Sequence, residues 1–153
     1  MKKLSHFIIS ILILLVMVQC RNRHANTGAN IDFDARLPMQ KSNEEINLSS
    51  VILRISLKDA TGDLIKYGLA TSKEQLSRQE YYSLNFTNDI YLLAGTDTFP
   101  CIDSHMEQLY MDLPYRTFIL YFGDHAVGVN DKILIMDKVF SNKVVLVSIN
   151  KRL

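Results

Sequence analysis

The segment SVILRISLKD, residues 50–59, alternates apolar and polar side chains with a period of two. In an extended chain, one face would carry four apolar side chains: Val51, Leu53, Ile55 and Leu57. The opposite face would carry Arg54, Ser56 and Lys58. This alternation predicts a β-strand with one face in the core and the other in water.

The same pattern recurs toward the C-terminus. YRTFILYF, residues 115–122, predicts a strand with Phe118, Leu120 and Phe122 facing inward. IYLLAG is followed by the turn sequence GTDTFP, and KILIMD and NKVVLVSINK predict two further strands. The VVLV run in the last of these is apolar on both faces, which predicts a central strand or one covered on both sides.

Three segments between residues 60 and 90 have other signals. LIKYGLA follows DATGD, in which Gly62 suits a tight turn, so a hairpin is predicted there. TSKEQLSRQE predicts the single short helix, because Thr71 and Glu74 have the spacing of a capping box. YYSLNF predicts a strand with Tyr82, Leu84 and Phe86 on one face.

These elements define the expected fold class. Seven or eight short strands, regular turn signals and at most one short helix predict an all-β domain. We expect a single antiparallel β-sandwich, immunoglobulin-like or transthyretin-like, over residues 46–153, with a small closed barrel as the alternative.

The N-terminus reads MKKLSHFIISILILLVMVQC, residues 1–20. Lys2 and Lys3 precede an apolar run from Phe7 to Val18. As a helix, about a dozen residues would rise about 18 Å, which is short for a hydrocarbon core about 30 Å thick. The segment therefore predicts a signal peptide over residues 1–19, with an uncleaved membrane anchor as the alternative.

Cys20 stands directly at the end of this apolar run and is followed by polar residues. This arrangement resembles the lipobox of bacterial lipoproteins, although Met17 and Gln19 stand where that family prefers Leu and a small residue. The resemblance implies cleavage before Cys20 and attachment of lipid, including palmitate, to that residue. Arg21 follows, where the family's sorting rule implies the outer membrane, with the domain facing the periplasm.

Residues 20–45 are polar and rich in Asn, so we expect a lipidated cysteine followed by a flexible tether. The short piece IDFDARLP within it could dock on the domain as an edge strand. Loss of Lys2 and Lys3 would leave 15 Lys and Arg against 16 Asp and Glu, a formal charge of −1. Without a basic stripe, nucleic acid is not an expected partner.

CIDSHME, residues 101–107, is the stretch that most resembles a chemical site. In an extended chain Cys101, Asp103, His105 and Glu107 would share one face, while Ile102 and Met106 would face the core. Zinc could use these residue types. Side chains two residues apart on a strand are separated by about 6.6 Å, however, so four in a row cannot reach one ion.

We therefore interpret CIDSHME as an ordinary loop or strand edge and expect no bound metal or cofactor. Cys101 is interpreted as a small buried hydrophobe. His125, in GDHAVG, is interpreted as a turn residue.

Tyrosine and methionine residues cluster around Pro114, and such side chains are frequent in protein interfaces. The candidate interaction surface comprises His105, Glu107, Tyr110, Met111 and Tyr115. The alternative is that LYMDLPY, residues 109–115, closes one end of the domain.

Known catalytic signatures such as G-x-S-x-G, H-E-x-x-H and the P-loop do not occur in the sequence. We expect a non-enzymatic protein-interaction module, tethered to the membrane through Cys20 and bound to an envelope protein, for example in a secretion complex. The alternatives are a periplasmic inhibitor or immunity protein and a metal-dependent enzyme built on Cys101–Glu107.

Overall fold

The structure is a computed structural model that describes residues 31–38, 49–58, 61–108 and 111–151. The predicted signal peptide and Cys20 lie outside the described residues. Eight strands are present within them: β1 (Ile31–Arg36), β2 (Ser50–Leu57), β3 (Ile90–Ala94), β4 (Asp97–Pro100), β5 (Asp103–Met106), β6 (Tyr115–Tyr121), β7 (Lys132–Asp137) and β8 (Lys143–Asn150).

The strands form one curled sheet in the order β4-β3-β7-β8-β1-β2-β6-β5. Neighbouring strands are antiparallel except β1 and β8, which run parallel, with Ala35 opposite Ile149. The predicted all-β class is confirmed. The finer prediction of two packed antiparallel sheets is not confirmed. β1 joins one group of strands, β4-β3-β7-β8, to a second group, β2-β6-β5, in a single mixed sheet that curls into a half-barrel.

The segment that contains β4 and β5 brings the two edges of this sheet together. The N–H of Cys101 donates to the carbonyl of Ile90 at 3.0 Å, and the N–H of Ile102 donates to the carbonyl of Tyr121 at 2.8 Å. Two successive residues therefore bond to β3 on one side and β6 on the other. This link, Cys101–Ile102, is the second connection between the two groups of strands.

β1 includes most of the IDFDARLP piece that the sequence assigned to the tether. It docks on the domain, but between β8 and β2 and not at an edge. All six of its residues pair with β2, from Ile31 opposite Leu57 to Arg36 opposite Ile52. The folded unit consequently includes Ile31–Arg36.

The core fills the concave side of the sheet. The inward faces predicted for residues 50–59 and 115–122 are confirmed, since their odd-numbered and even-numbered apolar residues respectively are buried. The most completely buried large side chains are Phe118, Leu53, Ile55, Leu64, Ile90, Leu92, Leu120, Ile133, Ile135 and Val51.

The prediction that VVLV is covered on both sides is wrong. β8 is a central strand, as expected, but Val144 is 65% exposed and Leu146 is 52% exposed. No described element lies over the convex side of the sheet at this point. A central position in a sheet therefore does not imply that both of its faces are covered.

The helix α1 (Ser72–Glu80) confirms the predicted capping box: Glu74 N–H donates to Thr71 Oγ1 at 3.3 Å and Thr71 N–H to Glu74 Oε2 at 3.0 Å. The helical path then continues through a π-helical turn, residues 81–85, and a 3-10 turn, residues 86–89. The strand predicted at YYSLNF is therefore wrong. Tyr82 and Phe86 are buried against Phe118, whereas Leu84 is 69% exposed.

The hairpin predicted at LIKYGLA is also wrong, because β2 pairs with β1 and β6 instead. Residues 64–68 form turns, and their main-chain groups bond to residues that do not belong to the sheet. Leu64 N–H donates to the carbonyl of Leu113 at 3.0 Å. Arg78 of α1 donates to three further carbonyls, of which Tyr67 O is the nearest at 2.7 Å. These bonds hold the loop against α1.

Within the described residues, no helix is long and apolar enough to cross a bilayer.

Candidate interaction sites

The alternation predicted for CIDSHME holds for only part of the segment. Asp103, His105 and Glu107 are exposed together on the convex side of β5 and just beyond it. Cys101 is buried at 6% exposure, and Ile102 is 64% exposed, contrary to the prediction that it faces the core. The reason is the edge-joining link at Cys101–Ile102, where the chain changes partner strands and the alternation shifts by one residue.

Cys101 has the environment of a buried structural thiol. Its Sγ–H donates to the carbonyl of Asp103 at 3.0 Å. Burial is the main cause that raises the pKa of this thiol to about 11. Because the thiolate is the nucleophile and the metal ligand, the group is in its unreactive form at neutral pH.

The side chains of CIDSHME do not converge. Among the described residues, no group of three or more His, Cys, Asp or Glu side chains is placed to hold a metal ion. The structure thus leaves Cys101 inside the domain and separates it from the carboxylates and imidazole outside.

The convex surface of β1, β2, β5 and β6, which we call the charged face, carries side chains of both signs. Its two arginines have partners within the same surface. Arg36 Nε is 2.6 Å from Asp34 Oδ2, and the guanidinium of Arg54 lies 3.7 Å from the centre of the Tyr115 ring. Lys58 lies beside this surface, with its Nζ 3.8 Å from Asp32.

The convex surface of β3, β7 and β8, which we call the basic apolar face, has a different composition. Its cross-strand rows follow from the register, which places Tyr91 opposite Leu134 and Leu134 opposite Leu146. The remaining side chains on this face are Leu93, Lys132, Met136, Val144, Ser148 and Asn150. None of them is acidic.

A groove of about 700 Å³ lies between α1 and β5. One wall is a single face of α1 and the turn that follows it, with Gln75, Gln79 and Ser83. The other wall is formed by residues 104–108. Its size falls within the range of ligand clefts. Most of its lining residues are polar, but polar and apolar atoms contribute almost equally to its surface.

The groove is underlain by a buried ion pair. Arg116 Nη2 lies 2.7 Å from Asp63 Oδ2, and the two side chains are 8% and 7% exposed. Arg116 also donates to the carbonyl of Tyr115 at 2.8 Å, and the other oxygen of Asp63 accepts from Ile65 N–H at 2.6 Å. Both charged groups thus have protein partners. The pair holds the loop at Asp63, at the base of the groove, against β6.

The edge of β5 presents main-chain groups to this groove. Glu107 N–H donates to the carbonyl of Thr117 at 2.9 Å. In an antiparallel ladder the bonded residues alternate, so His105 and Asp103 also bond to β6. The N–H and C=O groups of Ser104 and Met106 then point away from β6, toward the groove. Thr87 Oγ1 lies 2.6 Å from Ser104 Oγ and closes the groove at that end.

The structure places three of the residues predicted as an interaction surface on the charged face: His105, Glu107 and Tyr115. His105 and Glu107 also line the groove. Met111 is 70% exposed in the loop that follows. Tyr110 lies outside the described residues, as does the predicted lipidation site Cys20.

Sequence reasoning did not find the groove itself. The capping box located α1, but nothing local connects α1 to β5, and Asp63 and Arg116 are 53 residues apart in the chain. A signal was available in Gln75 and Gln79, whose spacing places two amides on one face of a predicted helix.

His125 belongs to a structured loop. Its ring stacks on Phe99 with centroids 4.2 Å apart, and its Nε2 lies 3.7 Å from Asp131 Oδ2. The same carboxylate oxygen accepts from Gly128 N–H at 2.7 Å. His125 therefore lies in the loop directly after the turn at residues 123–124.

Two buried carboxylates lie near α1, and both are held by protein groups. Asp89 accepts from the Tyr81 hydroxyl at 2.8 Å and pairs with Lys138 at 2.6 Å. Asp137 accepts from three main-chain N–H groups and from the Ser141 hydroxyl, which fixes the turn between β7 and β8. Among the described residues, every buried side-chain nitrogen and oxygen has a hydrogen-bond partner.

Comparison with known proteins found no match to this chain among protein-family models, curated proteins or solved structures.

Proposed function

We propose that this domain is a non-enzymatic protein-interaction module that binds an extended segment of a partner protein in the groove between α1 and β5. The observation that carries the proposal is the edge of β5. There Ser104 and Met106 direct main-chain N–H and C=O groups into a preformed groove. An extended peptide that pairs with such an edge gains main-chain hydrogen bonds, and neighbouring side chains supply specificity.

The walls of the groove suit a polar peptide. Gln75 and Gln79 offer amide donors and acceptors from α1, opposite the edge of β5. Glu107 adds a negative charge, and Lys66, which pairs with Asp112 at 2.8 Å, lies beside the groove. Because the contact at Thr87 and Ser104 closes the other end, the peptide enters beside Met106.

The second part of the proposal concerns location. We propose that the chain is a lipoprotein anchored through Cys20 at the outer membrane and that the domain faces the periplasm as part of an envelope or secretion complex. The support is the arrangement of Lys2, Lys3, the apolar run and Cys20. Two or more acyl chains hold a protein firmly on a bilayer, whereas one chain does not.

Changing Cys20→Ser tests the anchor. Labelled palmitate enters the wild-type chain and not the variant, and the variant leaves the membrane fraction. A wild-type chain that takes up no palmitate would contradict the lipoprotein proposal.

A peptide selection tests the groove. The full-length protein in detergent is used to select from a library of random linear peptides, and the selected peptides are titrated against two variants. Gln79→Arg fills the groove from the α1 wall, whereas Ser77→Arg places the same side chain elsewhere on α1. Arg is a good helix former, so both variants retain α1.

We expect Gln79→Arg to weaken peptide binding at least about tenfold, which corresponds to about 1.4 kcal/mol, and Ser77→Arg to leave it unchanged. Bound peptide also shifts the backbone NMR signals of Ser104 and Met106. The groove is not the binding site if the selection yields no peptide or if the two variants bind equally well.

A further inference from the structure

The basic apolar face has large apolar side chains exposed to water. Val144 is 65% exposed and Leu146 is 52% exposed, and they lie opposite Met136 and Leu134 across the β7–β8 ladder. Contiguous apolar patches on a folded domain usually mark a surface that contacts a protein or a membrane.

The charge of this face favours a membrane over a protein as the surface that it contacts. Residues 132–153 contain four Lys and one Arg, whereas their single acidic residue, Asp137, is 6% exposed. Lys138 pairs with Asp89, but Lys132, which lies on this face, is exposed and forms no ion pair within the described part of the chain. An apolar patch with an unneutralised lysine is complementary to anionic phospholipid, because the stem can follow apolar surface while the ammonium group reaches the headgroups.

The point at which the N-terminal segment joins the domain agrees with a membrane contact on this side. β1 runs parallel to β8, so Ile31 lies toward the end of the sheet at which β8 begins with Lys143 and Val144. Residues 20–30 connect that point to the predicted lipid on Cys20. Eleven residues span at most about 40 Å, so the anchor would hold the face near the bilayer at a high effective concentration.

We propose that the basic apolar face lies on an anionic phospholipid surface and acts as a second membrane contact beside the lipid anchor. This inference rests on the anchor described under the proposed function. Leu146, Val144 and Leu134 enter the boundary between headgroups and acyl chains, and Lys132 contacts the headgroups. The charged face, which contains Asp34 and Glu107, then faces water, where the groove is accessible to a partner.

Tryptophan fluorescence tests this contact directly, because the chain contains no Trp. Leu146→Trp places a single reporter in the basic apolar face. Tyr121→Trp places a matched aromatic reporter on the charged face, where Tyr121 is 36% exposed. Each full-length protein is reconstituted through its own N-terminus into vesicles of phosphatidylcholine with brominated phosphatidylglycerol.

We expect the emission of Leu146→Trp to shift to shorter wavelength and to be quenched by the brominated lipid, and the emission of Tyr121→Trp to change little. Vesicles of brominated phosphatidylcholine alone should quench Leu146→Trp less. Equal quenching of the two reporters, or no quenching of Leu146→Trp, overturns the proposal. A shift without lipid that grows with protein concentration overturns it in favour of a second copy of this chain.

Charge reversal supplies the second test. In the Leu146→Trp protein, Lys132→Glu should weaken the quenching. Lys58→Glu, beside the charged face, should not. Palmitate labelling reports the anchor and quenching reports the face, so loss of quenching in a palmitate-labelled protein refutes only this inference.

Discussion

The charged face and the basic apolar face are the two halves of one convex surface, yet their side chains are held differently. On the charged face Arg36 pairs with Asp34, and Arg54 lies over the ring of Tyr115. On the basic apolar face the charges lack such partners and the apolar side chains remain in water, as Leu146 does at 52% exposure. Paired charges leave a ligand little to gain, whereas exposed apolar side chains and unpaired charges are stabilised by being covered.

The largest expected effect on the free energy of unfolding distinguishes a buried ion pair that supports the fold from an exposed charge that does not. Asp63→Ala leaves Arg116 buried without its partner beneath the groove, which should lower the free energy of unfolding by about 3–5 kcal/mol. Lys132→Ala on the basic apolar face should change it by less than about 0.5 kcal/mol. Urea denaturation measures both, and similar losses would mean that the ion pair is not structural.

The next effect compares the two sides of the sheet. Leu120→Ala removes a fully buried side chain and should cost about 2–5 kcal/mol. Ile119→Ala, on the charged face, should cost less, and Leu146→Ala should stay within about 0.5 kcal/mol because its side chain is already in water. A cost for Leu146→Ala close to that for Leu120→Ala would show that the basic apolar face belongs to the core.

The third effect concerns the link between the two halves at Cys101. Burial raises the pKa of this thiol to about 11, above its ordinary value of 9.0. Between these pH values the unfolded chain loses the proton and the folded chain keeps it, so stability falls as pH rises. We expect a loss on the order of 1 kcal/mol by pH 10 from this group.

Unfolding at pH 8 and pH 10 measures that loss. Buried tyrosines with raised pKa values, Tyr81 and Tyr82, contribute in the same direction. The part due to the thiol is therefore the difference between wild type and Cys101→Ala, which should lose less stability. Identical pH dependence in the two proteins would mean that the thiol is not buried in solution.

The smallest effect is expected on the charged face. His105→Ala removes an exposed side chain, so stability should change by less than about 0.5–1 kcal/mol. Zinc should not raise the melting temperature of wild type or variant, since a ligand stabilises only the state that binds it. A zinc-dependent shift in wild type that His105→Ala abolishes would establish a metal site there.

Much of the sheet was predictable because its signals are local. The strands with clean alternation, such as β2 and β6, lie where the sequence placed them. The failure at YYSLNF has a specific cause. Tyr82 and Phe86 are four residues apart, so a strand and a helix both place them on one face, and only Leu84 distinguishes the two. Leu84 is exposed, which the sequence does not reveal.

The curled shape and the candidate sites depend on contacts between distant residues. The position of β1 between β8 and β2 follows from its pairing with Ile149 and Asn150, for which no local pattern exists. The shift in alternation at Ile102 follows from its bond to Tyr121. The alternation of CIDSHME did locate His105 and Glu107 on one surface, but not the α1 wall opposite β5.

The parallel pairing of β1 with β8 also determines when the domain can finish folding. β1 is the first described strand to leave a ribosome or a translocation channel, and the strand beside it is the last. Until residues 143–150 have emerged, β1 lacks its second neighbour, and the core beneath Ile149 stays open. Such a long-range pairing delays closure of the sheet. On the export route proposed above, this order of events would keep the chain unfolded enough to pass a narrow channel until its C-terminal strand arrives.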